Sequence, residues 1–219
     1  MNTRPRTPIL NRLYQLYLLD QDKATFIHKV ARRYSVATLE RLAASGGRMT
    51  RRAAVLAIGH LGEYPSNTAI GRALLDSDRG VRVLADTAIR LLWCRWGNLD
   101  QRRRLKLIIR MNGAGKHEEA IQRSSQLLAH APLFAEGWNQ RAVAYFGLGR
   151  YAESIRDCRQ TLKLNAYHFG AAAGLGQCYM QLNEREAALR CFQRALNLNP
   201  GLEGVRAHVV YLERALKRQ

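Results

Sequence analysis

The chain has 219 residues, is 47% hydrophobic, and carries a formal net charge of +18 at neutral pH. No uninterrupted apolar stretch approaches the roughly 20 residues of a membrane-spanning helix, and the N-terminus lacks the apolar stretch and cleavage site of a signal peptide. With only 5 prolines and no alternation of apolar and polar residues, the sequence predicts an all-α protein in the cytoplasm.

Residues 1–34 contain two short apolar stripes at helical spacing. Members three or four positions apart lie on one face of a helix. The stripes consist of Leu10, Leu13, Tyr14, Tyr17, Phe26, Val30 and Tyr34. We predict one or two N-terminal helices here, capping the front end of a helical array.

Residues 35–98 repeat themselves at a spacing of 31 positions, which predicts two helical hairpins. Pairs at this spacing are Leu39 and Ile70, Arg51 and Arg82, Ala54 and Ala85, Ile58 and Ile89, and Leu61 and Leu92. In the turn before Val81, either Ser77 or Asp78 is placed to cap the free amides of the next helix. An Asp-rich turn leading into a helix that opens with Val-Arg resembles the short HEAT-like repeats.

Residues 101–202 contain three copies of a 34-residue unit, which start at Gln101, Ala135 and Phe169. The aligned columns are Leu107, Arg141 and Leu175; Ile108, Ala142 and Gly176; Met111, Tyr145 and Tyr179; Ala120, Ser154 and Ala188; and Leu128, Leu162 and Leu196, with Pro132, Ala166 and Pro200 closing each unit. Small residues stand where two helices cross and large ones fill the spaces between. Each unit is therefore predicted to be a helical hairpin that leans on its neighbours.

This pattern of large, large, small and Tyr, followed by Ala, a bulky residue and a closing Pro, resembles the tetratricopeptide repeat. The resemblance covers about half of the chain and implies an α-solenoid of stacked helical hairpins. The first unit departs most from the pattern, because Arg104 stands in the column where Trp138 fits.

The turn inside each unit suits a positive φ, which glycine adopts easily and asparagine next best. The residues at these turns are Gly113 and Gly115, Gly147 and Gly149, and Gln181 and Asn183.

Residues 203–219 carry an apolar face formed by Val205, Val209, Leu212 and Leu216. We predict a C-terminal helix that caps the last apolar face of the solenoid.

Several short segments resemble parts of catalytic motifs but lack residues that those motifs require. Residues 113–116 (Gly-Ala-Gly-Lys) lack the earlier glycine and the following Ser or Thr of a phosphate-binding loop. Residues 117–119 (His-Glu-Glu) lack the second histidine of a zinc protease helix, and the glycines of 170–176 follow no strand, as a nucleotide-binding loop would.

The four cysteines, Cys94, Cys158, Cys178 and Cys191, are expected to be reduced and to fill space in the apolar core. We predict a non-enzyme without cofactor or metal.

The tetratricopeptide resemblance implies a concave groove lined by the first helix of each unit, which receives a peptide or protein segment. The corresponding residues are Leu105, Ile109, Asn112, Asn139, Val143, Phe146, Ala173, Gln177 and Met180. Relatives that clamp a terminal carboxylate carry Lys, Arg and Asn in this groove. Here Leu105, Ile109, Gly170 and Gly174 take those places, so we expect no such clamp. The alternatives are a groove filled by the chain's own terminal helix and a solvated face.

The positive charge predicts a second kind of partner. Arginine supplies most of it, and its planar guanidinium suits phosphates and carboxylates. Candidate contacts for a nucleic acid, with an acidic protein or a membrane surface as alternatives, are Arg95, Arg102, Arg103, Arg104, Arg156 and Arg190. We thus expect a protein-interaction scaffold first and a polyanion-binding solenoid second. An accessory subunit resembling the HEAT-like chromophore lyases comes third, and the oligomeric state is left open.

Overall fold

The computed structural model describes residues 8–217, which form thirteen α-helices, one short 3-10 helix and no strand. The all-α prediction is confirmed. Contacts divide the chain into two compact units, with the division between Leu92 and Trp93.

The helices of the first unit are α1 (Ile9–Asp20), α2 (Lys23–Ala31), α3 (Val36–Ser45), α4 (Arg48–Leu61), a 3-10 helix (Tyr64–Ser66), α5 (Asn67–Ala73) and α6 (Arg79–Trp93). The last residue of α6, Trp93, already belongs to the second unit. Those of the second unit are α7 (Leu99–Gly113), α8 (His117–His130), α9 (Ala135–Gly147), α10 (Tyr151–Leu164), α11 (Phe169–Gln181), α12 (Arg185–Leu198) and α13 (Glu203–Leu216).

Helices α1 and α2 pack on each other and on α4. The apolar stripes foreseen in this segment supply the buried residues Leu10, Tyr14, Phe26 and Val30. The Asp22 side chain caps α2 by accepting a hydrogen bond from the Thr25 amide. Residues 1–7 of the segment lie outside the described range, and the capping role of these helices stays a prediction.

Two aspartates organise the turn between α5 and α6. The Asp78 carboxylate accepts a hydrogen bond from the Val81 amide at 3.0 Å, which confirms Asp78 as the cap of α6. The guanidinium of Arg52 reaches the same carboxylate at 2.6 and 2.8 Å, and Arg51 binds Asp76 at 2.7 and 2.8 Å. This turn is therefore tied to α4 by two bidentate ion pairs.

Successive helices of the second unit pack in sequence order, and α9 also contacts α7 and α11. This is the stacking of a solenoid, so the predicted architecture is confirmed in this unit. The largest fully buried side chains there are Phe134, Phe169 and Phe192. A Cβ at Gly176 would lie 2.5 Å from the Phe192 ring, which explains the small residue at that crossing.

The turns inside the three hairpins use one positive φ each. The residues are Gly115, Gly149 and Asn183, with φ of 72°, 71° and 59°. The neighbouring Gly113, Gly147 and Gln181 instead end their helices. Only the second residue of each predicted turn pair thus needs the left-handed region.

Helix α13 packs on α12 and buries Val209 and Leu212 beside Ala188 and Phe192. It thereby covers apolar side chains of the last hairpin, and its role as the cap of the solenoid stays a prediction. Residues 218–219 of the predicted segment lie outside the described range.

Candidate functional site

A small cleft of about 120 Å³ opens between α9, α10 and α11. It is lined by Asn139, Ala142, Val143, Phe146, Ser154, Cys158, Gly170, Gly174 and Gln177. The walls are mainly apolar, and the side-chain amides of Asn139 and Gln177 are the polar groups that can bond a peptide backbone.

Two glycines of α11 keep the cleft open. Gly170 and Gly174 lie one helical turn apart, so both leave the same face of α11 without side chains. A Cβ at Gly174 would come within 3.3 Å of the Cys158 sulfur. Opposite them, Phe146 is held by Tyr151, with 5.6 Å between ring centroids. The cleft is therefore bounded by the bare glycine face of α11 and by the Phe146 ring that packs on Tyr151.

The structure brings together four of the nine groove residues expected from the sequence, namely Asn139, Val143, Phe146 and Gln177. The others lie outside the lining of this cleft. Ile109 is exposed on α7, Ala173 packs partly into the core, and Met180 packs against the cluster that α13 covers. The Asn112 amide donates to the carbonyl oxygen and the side-chain oxygen of Gln140, so it joins α7 to α9.

The assignment of Leu105 to the groove is wrong. Its side chain is 1% exposed and belongs to a core cluster that includes Ile108, Leu127 and Phe134. Trp96, which precedes the first repeat unit, packs against the same cluster. The burial removes Leu105 from any surface that a partner can reach.

A buried carboxylate lies beside the cleft. Glu136 is 6% exposed and accepts hydrogen bonds from Asn139 at 3.0 Å and Gln140 at 2.7 Å. His168 Nε2 lies 2.8 Å from its other oxygen. Because His168 Nδ1 accepts the Ala171 amide hydrogen, Nε2 carries the ring proton and donates it to Glu136.

These donors keep Glu136 ionised. Burial alone would raise the pKa of this carboxyl, but the hydrogen bonds from His168, Gln140 and Asn139 outweigh burial and lower it. The ionised Glu136 also orients the Asn139 side chain, which lines the cleft. The side-chain nitrogen of Asn139 donates a hydrogen bond to the Glu136 carboxylate. The network thus orients one of the two amides of the cleft.

The sequence patterns did not identify Glu136, His168 or the Trp93 ring as neighbours of the cleft. The Trp93 ring stacks on His168 with 3.9 Å between centroids and contacts Phe169 at 5.0 Å. A signal existed, because Glu136 and His168 both stand at the start of first helices in successive units. Such positions are neighbours when hairpins stack, although they are 32 residues apart.

The cleft offers no evident catalytic group. Burial raises the pKa of Cys158 to about 12, so its thiol stays protonated and is a poor nucleophile. All four cysteines are free. Within residues 8–217, no group of three or more His, Cys, Asp or Glu side chains is placed to hold a metal ion. The Gly-Ala-Gly-Lys string lies at the turn between α7 and α8, where Lys116 pairs with Glu119 at 3.5 Å.

The six arginines considered for polyanion binding differ in their surroundings. Arg104 pairs with Asp100 at 2.7 Å, and Arg102 donates to the Gly97 carbonyl at 3.0 Å. Arg95 is half-buried. Arg103, Arg156 and Arg190 are exposed, the last two at equivalent places on α10 and α12.

The family model described as tetratricopeptide repeat matches residues 135–168 and 171–202. The C-terminal half carries tetratricopeptide repeats. The matches coincide with the second and third predicted units. The assignment of residues 101–134 as a first tetratricopeptide repeat and of residues 35–98 as HEAT-like repeats stays a prediction.

Curated relatives match the same part of the chain. A TPR repeat-containing protein of Rhizobium etli is 28% identical over 85 residues, which cover 39% of this chain and 42% of that protein. The Hsp70-Hsp90 organizing protein of Triticum aestivum is 26% identical over 102 residues, which cover 47% of this chain and 18% of that protein. The match thus spans less than half the length of either relative.

Solved structures show the same fold. The first TPR of Spaghetti (RPAP3), solved with an HSP90 peptide, superposes with a TM-score of 0.51 at 24% identity, covering 53% of this chain and 93% of that one. The Sgt2 TPR domain of Aspergillus fumigatus gives a TM-score of 0.52 at 16% identity, covering 55% and 81%. No helix within residues 8–217 combines the length and apolar character needed to cross a bilayer.

Proposed function

We propose that this protein is a non-enzymatic interaction scaffold whose tetratricopeptide repeats bind a peptide or protein segment along the face formed by α9 and α11. The observation that carries the proposal is the cleft between α9, α10 and α11, with an apolar lining and two amides. Cavities of this composition hold an apolar side chain, while amides bond the adjoining backbone.

The size of the cleft limits what enters it. About 120 Å³ accommodates one aliphatic side chain rather than a drug-sized molecule, for which pockets of about 300–1,000 Å³ are usual. An extended segment that inserts one aliphatic side chain, with its backbone amides facing Asn139 and Gln177, fits both the volume and the polar groups.

The charge beside the cleft argues against a segment that ends in clustered acids. Glu136 is ionised, and Gly170 and Gly174 place no side chain, and therefore no cation, on this wall of the cleft. A partner carboxylate would meet no cation among the residues lining this cleft. We therefore expect an internal, uncharged or basic segment.

The names of the relatives support a binding role of this general kind. One is called an Hsp70-Hsp90 organizing protein, and one solved tetratricopeptide domain holds a peptide of HSP90. We take from them only that such repeats serve as docking surfaces for protein segments, and we assign no chaperone partner to this chain.

The test is a selection from a random peptide library, run in parallel on the full chain and on Phe146→Ala. Phe146 is partly buried in the cleft wall, so its loss widens the cleft while the helix remains. Peptides retained by the wild type should bind Phe146→Ala at least about tenfold more weakly, which corresponds to about 1.4 kcal/mol.

Asn139→Ala should weaken the same peptides, because it removes a cleft amide. The matched control is Leu133→Ala, which truncates an exposed apolar residue that does not line the cleft. Far-UV circular dichroism checks that all variants keep their helices. Equal binding by Phe146→Ala and the wild type would reject the groove.

A further inference from the structure

Helix α13 presents a second surface, on the side opposite to its buried residues. Val209 and Leu212 face the core, whereas Val210 and Tyr211 are 41% and 56% exposed. A shallow depression runs along this outer face, lined by Glu203, Arg206, Ala207, Val210, Tyr211 and Arg214. These positions follow one another by three or one, which places them on a single stripe of the helix.

The stripe is complementary to itself when its direction is reversed. Glu203 and Arg214, of opposite charge, lie equally far from the midpoint between His208 and Val209. Arg206 and Tyr211 form a second such pair, and Ala207 and Val210 a third. When two identical helices pack antiparallel about a two-fold axis through that midpoint, each of these pairings occurs twice, once on either side of the axis.

We propose that α13 is a homodimer interface, in which two copies of this chain pack these stripes antiparallel. Glu203 of each copy then pairs with Arg214 of the other. The Arg206 guanidinium lies over the Tyr211 ring as a cation–π contact. At the centre, Ala207 is small enough to let the two helices approach, and Val210 fills the space beside it.

Arg206 is already positioned for this role. Its Nη2 donates to the Pro200 carbonyl oxygen at 2.6 Å, which fixes the guanidinium near the start of α13. The proposal does not depend on the peptide groove, because none of the residues lining that cleft belongs to α13. Failure of one proposal therefore leaves the other standing.

The expected dimer is weak. One helix per copy buries less than the ~1,200 Å² of a standard interface, so we expect a dissociation constant on the order of 10 µM. Each copy also carries +18, and this repulsion opposes association until salt screens it to a Debye length of about 8 Å at 0.15 M.

Sedimentation equilibrium of the full chain at 0.15 M salt tests the proposal. Each single reversal, Glu203→Arg or Arg214→Glu, converts both cross-dimer attractions into repulsions and should weaken dimerisation about tenfold or more. The double variant restores opposite charges at both ends and should return to within about threefold of the wild type.

The double variant also separates docking from helix fraying. Glu203 lies in the first turn of α13 and Arg214 in the last, where each favours the helix dipole. If fraying caused the losses, the double variant would associate worst of all. Tyr211→Ser should weaken the dimer by about tenfold, whereas Leu133→Ser, at an exposed apolar site outside α13, should not.

A chain that stays monomeric from about 1 to 200 µM, a range that extends about twentyfold above the expected dissociation constant, would overturn the proposal. So would a dimer that is indifferent to Tyr211→Ser, or one in which the double charge variant is no better than the single ones. Self-association that follows the expected order of variants supports the antiparallel pairing.

Discussion

The side chain of Asp78 makes two interactions that stabilise the fold. It caps α6 through the Val81 amide and holds the Arg52 guanidinium. The hydrogen bonds from Arg52 and then from Val81 lower the pKa of Asp78 from 3.8 to about 2. A carboxyl whose pKa falls on folding stabilises the protein above its unfolded pKa, and that contribution is lost as the pH falls through the folded one.

Asp78→Asn should therefore lower the free energy of unfolding by about 1 kcal/mol at pH 7, since asparagine keeps the cap but loses the ion pair. The difference between the variant and the wild type should shrink as the pH falls from about 4 towards 2. Urea unfolding at a series of pH values, followed by far-UV circular dichroism, measures it. A difference that stays constant over this interval would contradict the assignment.

Two glycines at the end of α7 allow a matched comparison of backbone effects. Gly113 is helical, and an alanine methyl group there would meet nothing within 4 Å beyond the adjoining residues and backbone of α7, whereas Gly115 has φ of 72°. Gly113→Ala should raise the free energy of unfolding by about 0.5–1 kcal/mol. Gly115→Ala should lower it by about 1 kcal/mol, because alanine is strained there. Urea unfolding monitored by tryptophan fluorescence reports this unit, and effects of the same sign would contradict the account.

Residue-level features were predictable from sequence only where they are local. The cap at Asp78 and the positive φ at Gly115, Gly149 and Asn183 follow from neighbouring residues. The bond between Glu136 and His168 joins two hairpins, so it depends on how they stack. Leu105 was misplaced for the same reason, since its burial depends on packing against residues distant in sequence.

At the scale of the element, an ion pair joins α9 to α10. Arg141 binds Asp157 at 2.7 and 3.0 Å and also donates to Ser125 at 3.0 Å. The two side chains are only 16% and 6% exposed. In the next repeat the equivalent positions are Leu175 and Cys191, so the fold accommodates either a charged or an apolar pair.

Arg141→Leu alone should destabilise the second unit by about 3 kcal/mol, because Asp157 is left buried without its partner. The double variant Arg141→Leu with Asp157→Cys copies the next repeat and should recover most of that loss. Tryptophan fluorescence during urea unfolding follows this unit, since all three tryptophans lie in it. If the double variant instead lost as much free energy of unfolding as the two single substitutions together, the equivalent positions of the two repeats would not be interchangeable.

The helices themselves were the most predictable elements. The 34-residue period placed the starts of two repeat units at Ala135 and Phe169, which are the first residues of α9 and α11. The period carries no information on Trp93 and Trp96, which precede the first unit and yet pack against His168 and Phe134. Their contacts depend on the folded unit and not on the repeat.

At the scale of the whole molecule, the +18 charge and the cleft predict different responses to salt. Binding through six to ten phosphate contacts falls by about 10³–10⁵ between 50 and 200 mM salt. A segment held by an apolar cleft and amides should change its affinity less than about threefold over that range. A salt series with a selected peptide and with a nucleic acid of mixed sequence, measured by fluorescence anisotropy, distinguishes the two modes. A steep loss for the peptide would contradict docking in the cleft.

In the proposed complex, an apolar side chain of the partner occupies the cleft beside Gly174. The most direct test is the affinity of one selected peptide for Gly174→Leu, which fills the cleft from α11, compared with Gly113→Leu, which adds the same side chain at the end of α7. We predict that Gly174→Leu weakens binding at least about thirtyfold, or about 2 kcal/mol, and that Gly113→Leu leaves it unchanged. Undiminished binding by a folded Gly174→Leu protein would contradict the account.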